Sequence, residues 1–398
     1  MGAWEQGSVG RLGAHRWSTA AAGAVLTIAT LRRATVGIRA VRRARTLPDL
    51  DEPVSVGFGT HVLVPVRGEP RETVQATALW WRRSGAERVS FVVTSEEECS
   101  VAAEALLAVP GSRVVMTAGR TKGGQLNEAS HSLDEDDRWI AIFDCDSRPI
   151  GCIGSHGDAP ITVSPVLYRA GGTGRSAAFL EGFALAQTVW SLGFEVGMAS
   201  RRRLWYAVGH GLVLDARLLH EGCFGETLLT EDLDLGYRLS ADGIRVGEAQ
   251  FCDVSSAFTS IPQHMGGVGR WFMGDLQAVG HQHGTAAVAR TLELLTTWLA
   301  GPALVAWASF TLKRSHPAVA AATCAALIGA TVLPAEAVRR VVWPIVGTRE
   351  TGLSSLEVAA GVLVRPFVDS VACASGVVKF CAGRRLHTSA SAKAAPLP

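Results

Sequence analysis

The chain has 398 residues, 48% of them hydrophobic and 19% charged, with a formal net charge of +2 and a mean hydropathy of +0.21. That length holds one large domain or two small ones, and the hydropathy leans toward a membrane-associated protein. A charge so near zero argues against the clustered basic excess of a nucleic-acid binder, and eight scattered cysteines without a Cys-x-x-Cys pair argue against a disulfide framework or zinc site, leaving reduced thiols.

Residues 17–31 form an apolar run, followed by Arg32, Arg33, Arg39, Arg42, Arg43 and Arg45. The run is short of the roughly twenty residues that cross a bilayer directly, so it reads as a short anchor, an interfacial helix or a signal-like segment. No small-residue cleavage site comes after it, and the charge lies on the wrong side for secretion. The arginines would hold the downstream chain in the cytoplasm. Residues 1–52 are thus a membrane-associated segment with a basic linker.

From Pro53 the texture alternates between strands and helices. The pattern predicts strands at 61–66, 88–94, 113–117 and 139–144, with helices at 69–84, 96–108 and 123–133. Repeated units of this length imply an α/β fold, a parallel sheet with helices on both faces. The run Trp139-Ile140-Ala141-Ile142-Phe143 ends abruptly in Asp144-Cys145-Asp146, before the turn residues Ser147, Arg148 and Pro149. A buried parallel strand reads like this. Its carboxylates then sit where open α/β sheets bind ligands. Two hard oxygen donors there suit Mg²⁺ or Mn²⁺ shared with a substrate phosphate; the rival reading is an acidic turn that caps the next segment. The same sheet edge collects Pro65 to Glu69, Thr94, Ser95 and Lys122.

Farther on, Gly171-Gly172-Thr173-Gly174 reads as a loop, 177–196 as a helix and 212–214 as a short strand preceded by Gly209-His210-Gly211. Arg201-Arg202-Arg203 is either a phosphate patch or a solvated face. His210, His264, His281 and His283 have no regular ligand spacing; His210, in its glycine turn, is the one suited to an acceptor contact. Residues 294–312 and 317–335 each carry no charge and read as transmembrane helices. A third candidate, 356–380, holds Glu357, Arg365, Pro366 and Asp369, so it is either a span facing a bundle or an interfacial helix. The last residues are Ala/Ser/Pro-rich and read as disordered.

Three further motifs accompany the acidic pair. In Lys122-Gly123-Gly124-Gln125-Leu126-Asn127 a lysine precedes glycines that open a helix, whose first N–H groups can meet a phosphate. In Thr230-Glu231-Asp232 the threonine can cap a helix with two acids in its first turn. Gly269-Arg270-Trp271 begins an amphipathic stretch leading toward the first C-terminal span.

In this order, the motifs resemble the membrane-bound family 2 glycosyltransferases of GT-A fold, related to cellulose and hyaluronan synthases. The resemblance covers residues 53–285 as the catalytic domain, 286–385 as C-terminal transmembrane helices and 386–398 as a tail. It implies that Asp144 and Asp146 touch the metal and the sugar diphosphate, that Lys122 meets the nucleotide's phosphates, and that Pro65 and Glu69 belong to the donor site. Asp232, beside Glu231, would be the general base, with His210, Arg270 and Trp271 on the acceptor side. Two positions depart from the family. Its Gln-x-x-Arg-Trp motif has Gly267 at the glutamine, with Gln263 out of register, and the second strand ends in Thr94-Ser95, with Glu96, Glu97 and Glu98 beyond.

The chemistry accounts for the residue types. Sugar transfer expels a nucleoside diphosphate, which a divalent ion stabilises, and an attacking hydroxyl needs a base on the opposite face. The sequence therefore leads to an inverting, metal-dependent, non-processive transferase at the cell membrane, multi-pass, with its catalytic domain cytoplasmic. Its donor would be a UDP- or GDP-sugar and its acceptor a lipid, glycan or small molecule. A nucleotidyltransferase-type enzyme and an inactive membrane scaffold of the same fold are the alternatives.

Overall fold

The computed structural model describes residues 6–47, 54–106, 111–154, 159–170, 175–196, 209–226, 228–244, 246–280, 285–345 and 355–382. The 171–174 loop, the arginine triplet 201–203, His281, His283 and the C-terminal tail lie outside them. The first helix, α1 (Gln6–Ala44), is a single 39-residue element, about 58 Å long at 1.5 Å per residue. It runs straight through the arginines because they find partners. Arg32 donates to Glu293 at 2.5 Å, and Arg43 forks onto both oxygens of Glu248 at 2.7 Å.

The α/β part comes next as β1 (Ser55–Val56), β2 (Thr60–Pro65), α2 (Arg71–Arg83), β3 (Val89–Val93), α3 (Glu96–Leu106), β4 (Arg113–Met116), α4 (Lys122–Ala129) and β5 (Trp139–Ile142). It continues with β6 (Arg148–Ile153), β7 (Ile161–Val163), β8 (Val166–Arg169), α5 (Arg175–Trp190), β9 (Leu212–Asp215), α6 (Ala216–His220), α7 (Glu231–Ala241), β10 (Val246–Glu248) and β11 (Phe251–Ser256). Every residue of β2 and β3 is buried, as expected of strands covered on both faces. One face packs Val62, Val64, Phe91 and Phe143 against Trp81 of α2, and the other packs Leu63, Ile140 and Ile142 against Leu126 of α4 and Leu235 of α7.

The main sheet has seven strands in the order β10-β7-β9-β5-β2-β3-β4, and a second has the order β1-β6-β11-β8. All neighbours in the main sheet are parallel except at β9, which runs against both β5 and β7. The four strands expected at 61–66, 88–94, 113–117 and 139–144 are parallel neighbours, and the reversal comes at β9, where it matters for the site. A reversed strand starts at the edge where β5 ends, so Gly209, His210 and Gly211 arrive beside Asp144, with the Gly211 N–H donating to the Ile142 carbonyl at 3.0 Å. The Asp144–Ser147 turn then carries the chain from β5 to β6 in the second sheet. Phe143 bridges the two, with ring centroids 5.1 Å from Trp81 and 5.7 Å from Phe251.

The helical part consists of α8 (Ile261–Gly280), α9 (Thr285–Glu293), α10 (Gly301–Ser315), α11 (Pro317–Ile345) and α12 (Ser355–Cys381). Among the described residues, three helices are long and apolar enough to cross a membrane, in the ranges Trp17–Ala44, Pro317–Pro344 and Ser355–Cys381. The expected straight span over 294–312 is instead broken. Leu294–Leu299 is a π-helical segment, and Ala287–Leu299 meets Gly301–Ser315 at a 64° bend. Gly301 and Pro302 account for the break, one a weak helix former and the other without an N–H to continue the ladder.

The charges of α12 face protein. Arg365 donates to the Phe183 carbonyl (3.1 Å), to the Gln187 side chain and to Asp369 (3.1 Å), while Asp369 accepts from His264 at 2.6 Å. Close helix contact makes this reachable: a β-carbon on Gly361 would lie 2.1 Å from the Phe179 carbonyl oxygen of α5, and one on Gly376 would lie 2.8 Å from that of Gly269 in α8. Small residues permit such approaches between apolar helices.

Candidate active site

Lys122 occupies the centre. Its Nζ donates to Asp144 Oδ1 at 2.6 Å and to the Gly209 carbonyl at 2.7 Å, with 25% of the lysine side chain and 31% of the aspartate left facing the cavity. Burial works against the charged amine, but Asp144, Glu231 and Asp232 outweigh it and raise its pKa. Thr121 caps α4 by accepting from the Gly124 N–H at 3.1 Å, and the Gln125 N–H goes to the Thr121 carbonyl. Two of the helix's first N–H groups are therefore spent within the chain. Gly123 serves contact instead: a β-carbon there would meet the Gly225 carbonyl oxygen at 2.6 Å and Glu231 Cβ at 3.1 Å.

That contact brings α7 in. Asn127 clasps the preceding loop, donating to the Phe224 carbonyl at 2.9 Å and accepting from the Phe224 N–H at 3.1 Å. The first turn of α7 then presents Glu231 and Asp232 to Lys122. Thr230 stands at the N-cap position, but its hydroxyl makes no capping bond, contrary to the sequence expectation. Its φ of −141° and ψ of 85° turn the side chain against α8, where a β-carbon on Gly274 would lie 2.3 Å from Thr230 Oγ1. Burial raises the pKa of both acids, Glu231 to about 7, and Asp232 adds to the shift on Glu231; Lys122 and Arg270 oppose it.

Asp146 is 5% exposed and accepts from Ser255 Oγ and the Ser256 N–H, each at 3.3 Å. His210 is held by Asp253, with Nδ1 donating to Oδ2 at 2.6 Å; Ser147 Oγ donates to the same oxygen at 2.7 Å. Burial disfavours the charged imidazole, yet Asp253 holds His210 above its ordinary value. Asp253, Tyr168 and Ser255 escaped sequence reasoning because no motif contains them. The usable signal was a lone carboxylate inside the apolar strand Phe251-Cys252-Asp253-Val254, since a buried charge requires a partner.

All the expected donor, metal, catalytic and acceptor-side residues line one cavity of about 730 Å³: Pro65, Glu69, Lys122, Asp144 and Asp146 along the sheet edge, His210 beside them, Glu231 and Asp232 on α7, and Arg270 and Trp271 on α8. Arg270 donates to the Leu229 carbonyl at 3.2 Å. At the position of the family's glutamine, Gly267 lies beneath the Phe258 ring. Gln263 accepts from Thr259 Oγ1 at 2.6 Å, at the start of α8. Of the acids beyond β3, Glu98 ties its own loop, accepting from the N–H groups of Gly68 at 2.7 Å and Thr94 at 3.0 Å. Burial opposes its ionisation, but these donors keep its pKa low.

Asp144 and Asp146 fit a hard divalent ion. They are two carboxylates on one turn at a cavity wall, and Mg²⁺ or Mn²⁺ takes a few such oxygens and fills its remaining sites with water and phosphate. A second cluster, His61, Asp134 and Asp137, has its ligand atoms close together but lies at the other end of β2. Its donors are committed: His61 bonds Asp137 at 2.7 Å and Ser90 at 2.8 Å through its two nitrogens, and Asp137 accepts from Arg88 at 2.7 Å. It is a hydrogen-bonded ion-pair network beneath the sheet.

No protein-family model and no curated protein matches the sequence. Among solved structures, the chain is similar to the mannosyltransferase PcManGT of Pyrobaculum calidifontis in complex with GDP-Man and Mn²⁺, at 14% identity over 86% of this chain and 98% of that one, with a TM-score of 0.47. It is also similar to residues 1–349 of S. aureus TarS, at 12% identity over 82% of this chain and 93% of that one, with a TM-score of 0.34.

Proposed function

We propose that the protein is an inverting glycosyltransferase that moves a sugar from a nucleotide-sugar donor to a hydroxyl of a membrane-proximal acceptor. The observation that carries this reading is the Lys122 bridge, which joins Asp144 at the end of β5 to the Gly209 carbonyl ahead of β9 and faces Glu231 and Asp232. A diphosphate requires cationic partners and a hydroxyl nucleophile requires a base, and the cavity offers both from separate segments.

In this reading Asp144 and Asp146 hold a Mg²⁺ or Mn²⁺ ion, which supplies stabilisation of the negative charge on the leaving diphosphate. Lys122 and Arg270 add positive charge from the protein. Asp232 takes the proton of the acceptor hydroxyl as its oxygen bonds to the anomeric carbon, and the bond from that carbon to the diphosphate breaks with its electron pair on the leaving oxygen. Attack from the far face inverts the centre. Burial keeps the base's affinity for a proton high. The spanning helices, with α12 packed on α5 and α8, would set the cavity at the cytoplasmic bilayer surface.

The test is nucleoside diphosphate release from a panel of UDP- and GDP-sugars by the purified protein in detergent, with and without Mn²⁺. Release that requires Asp232 and a divalent ion supports the reading. A protein that binds no nucleotide sugar would refute it.

A further inference from the structure

The candidate cavity has two unlike walls. One is the polar sheet edge around Lys122. The other, from α5, the residues just before α8, α8 itself and the Leu294–Leu299 segment, presents Trp190, Phe258, Trp271 and Trp298, with Gln187, His264 and Arg290 among them. Trp190 and Trp298 meet edge to face with centroids 6.2 Å apart, and Phe258 and Trp271 lie 5.7 Å apart. The polar wall suits a nucleoside diphosphate; the aromatic surface offers a hydroxyl-rich donor few partners in exchange for its lost hydration. It suits a hydrocarbon chain.

This apolar surface is no isolated groove. At one end it adjoins Asp232, and at the other Leu294 and Trp298 belong to the bent pair Ala287–Leu299 and Gly301–Ser315, which together are apolar enough to cross a membrane. A molecule lying along it has its head at the base and its tail against helices continuous with the bilayer-facing set. We propose that the acceptor is a lipid amphiphile, its hydroxyl-bearing head at Asp232 and its hydrocarbon chain against Trp190, Phe258 and Trp298. The head's role rests on the transfer reading above; the chain's place does not. The step balances as already written, the acceptor oxygen gaining the sugar and passing its proton to Asp232.

The probe is a diacylglycerol with a diazirine in one acyl chain, supplied to the full-length protein in dioleoylphosphatidylcholine nanodiscs and photolysed, with adducts mapped by peptide mass spectrometry. Adducts at Phe258, Trp271 or Trp298 are expected, cut about tenfold by Trp298→Gln, which sets an amide in the chain's path. The wild-type map stands without the variant, should the substitution impair folding. Adducts confined to the outward faces of α1, α11 and α12 overturn the proposal. Binding of UDP- and GDP-sugars is measured on the same nanodiscs to separate the two readings. Cavity adducts without donor binding refute transfer and leave the lipid site standing; donor binding without cavity adducts refutes the lipid site alone.

Discussion

The ring of Phe258 stands over Gly267 so closely that a β-carbon on the glycine would lie 2.1 Å from Phe258 Cζ. The space that a longer side chain would enter there is filled by an aromatic ring, which also contacts Trp271 at 5.7 Å and His264 at 5.6 Å between centroids. A site without a polar grip there should release its product after each transfer. Mass spectrometry with excess donor should find one added sugar, or very few, and a ladder of long polymers would contradict this. Gly267→Ala must displace the ring, so it should lower kcat/KM for acceptor about tenfold and stability by about 1–3 kcal/mol, leaving donor affinity unchanged.

Asp232→Asn should lower turnover about 10²–10⁴-fold, the span usual for a general base, while calorimetry finds donor affinity within a few-fold of wild type. Near-normal turnover would pass the role to Glu231.

For the ion site, Asp146→Asn should cost about 10²–10³-fold in kcat, comparable to removing one group that stabilises transition-state charge. Excess EDTA should abolish turnover and Mn²⁺ restore it. Full activity in EDTA would remove Asp144 and Asp146 from metal binding.

The acid pair sets the pH dependence. Since burial lifts Glu231 to about 7 and raises Asp232, the base is fully ionised only on the alkaline side. The rate should climb with pH to a plateau, with a midpoint above the ordinary carboxylate value that belongs to the pair. Stability should run the other way. These acids bind protons more tightly folded than unfolded, so their contribution is complete below the ordinary carboxylate value and is lost as pH rises through about 7. Glu231→Gln removes one negative charge, so the rate midpoint should move down and the fall in thermal midpoint flatten.

In α12, Arg365→Leu removes the guanidinium hydrogen-bonded to Asp369 and should cost about 3–5 kcal/mol, as removing one member of a buried pair does. Replacing both charges by leucine should cost less than the single change. Thermal unfolding in one detergent decides it.

Much of the site could be read in the chain because its chemistry lies at abrupt changes of texture. The run Trp139–Phe143 breaks into Asp144, and Lys122 precedes two glycines, so each announced an element's end. The hidden part depends on orientation. Leu212-Val213-Leu214 reads the same in either strand direction, so the reversal of β9, which delivers His210, left no trace in composition. Phe258 over Gly267 joins positions nine apart across the start of α8, and neither residue signals the other. The break near Ala300 was masked by uniformly apolar neighbours, and the partners of Arg32 and Arg43 lie more than 200 residues away.

The internal pairing of Arg365 and Asp369 also bears on how the chain is assembled. Each such charge at a bilayer's centre costs about 2.5–3.5 kcal/mol on insertion scales, so α12 partitions poorly as a solitary helix. Its partners, Gln187 on α5 and His264 on α8, are synthesised well before it. Were α12 to cross a bilayer, it would be accommodated best as it docks on α5 and α8, and a chain whose α/β domain had misfolded would have no place to put its charges. Insertion of this helix would then wait on the active-site scaffold beside it.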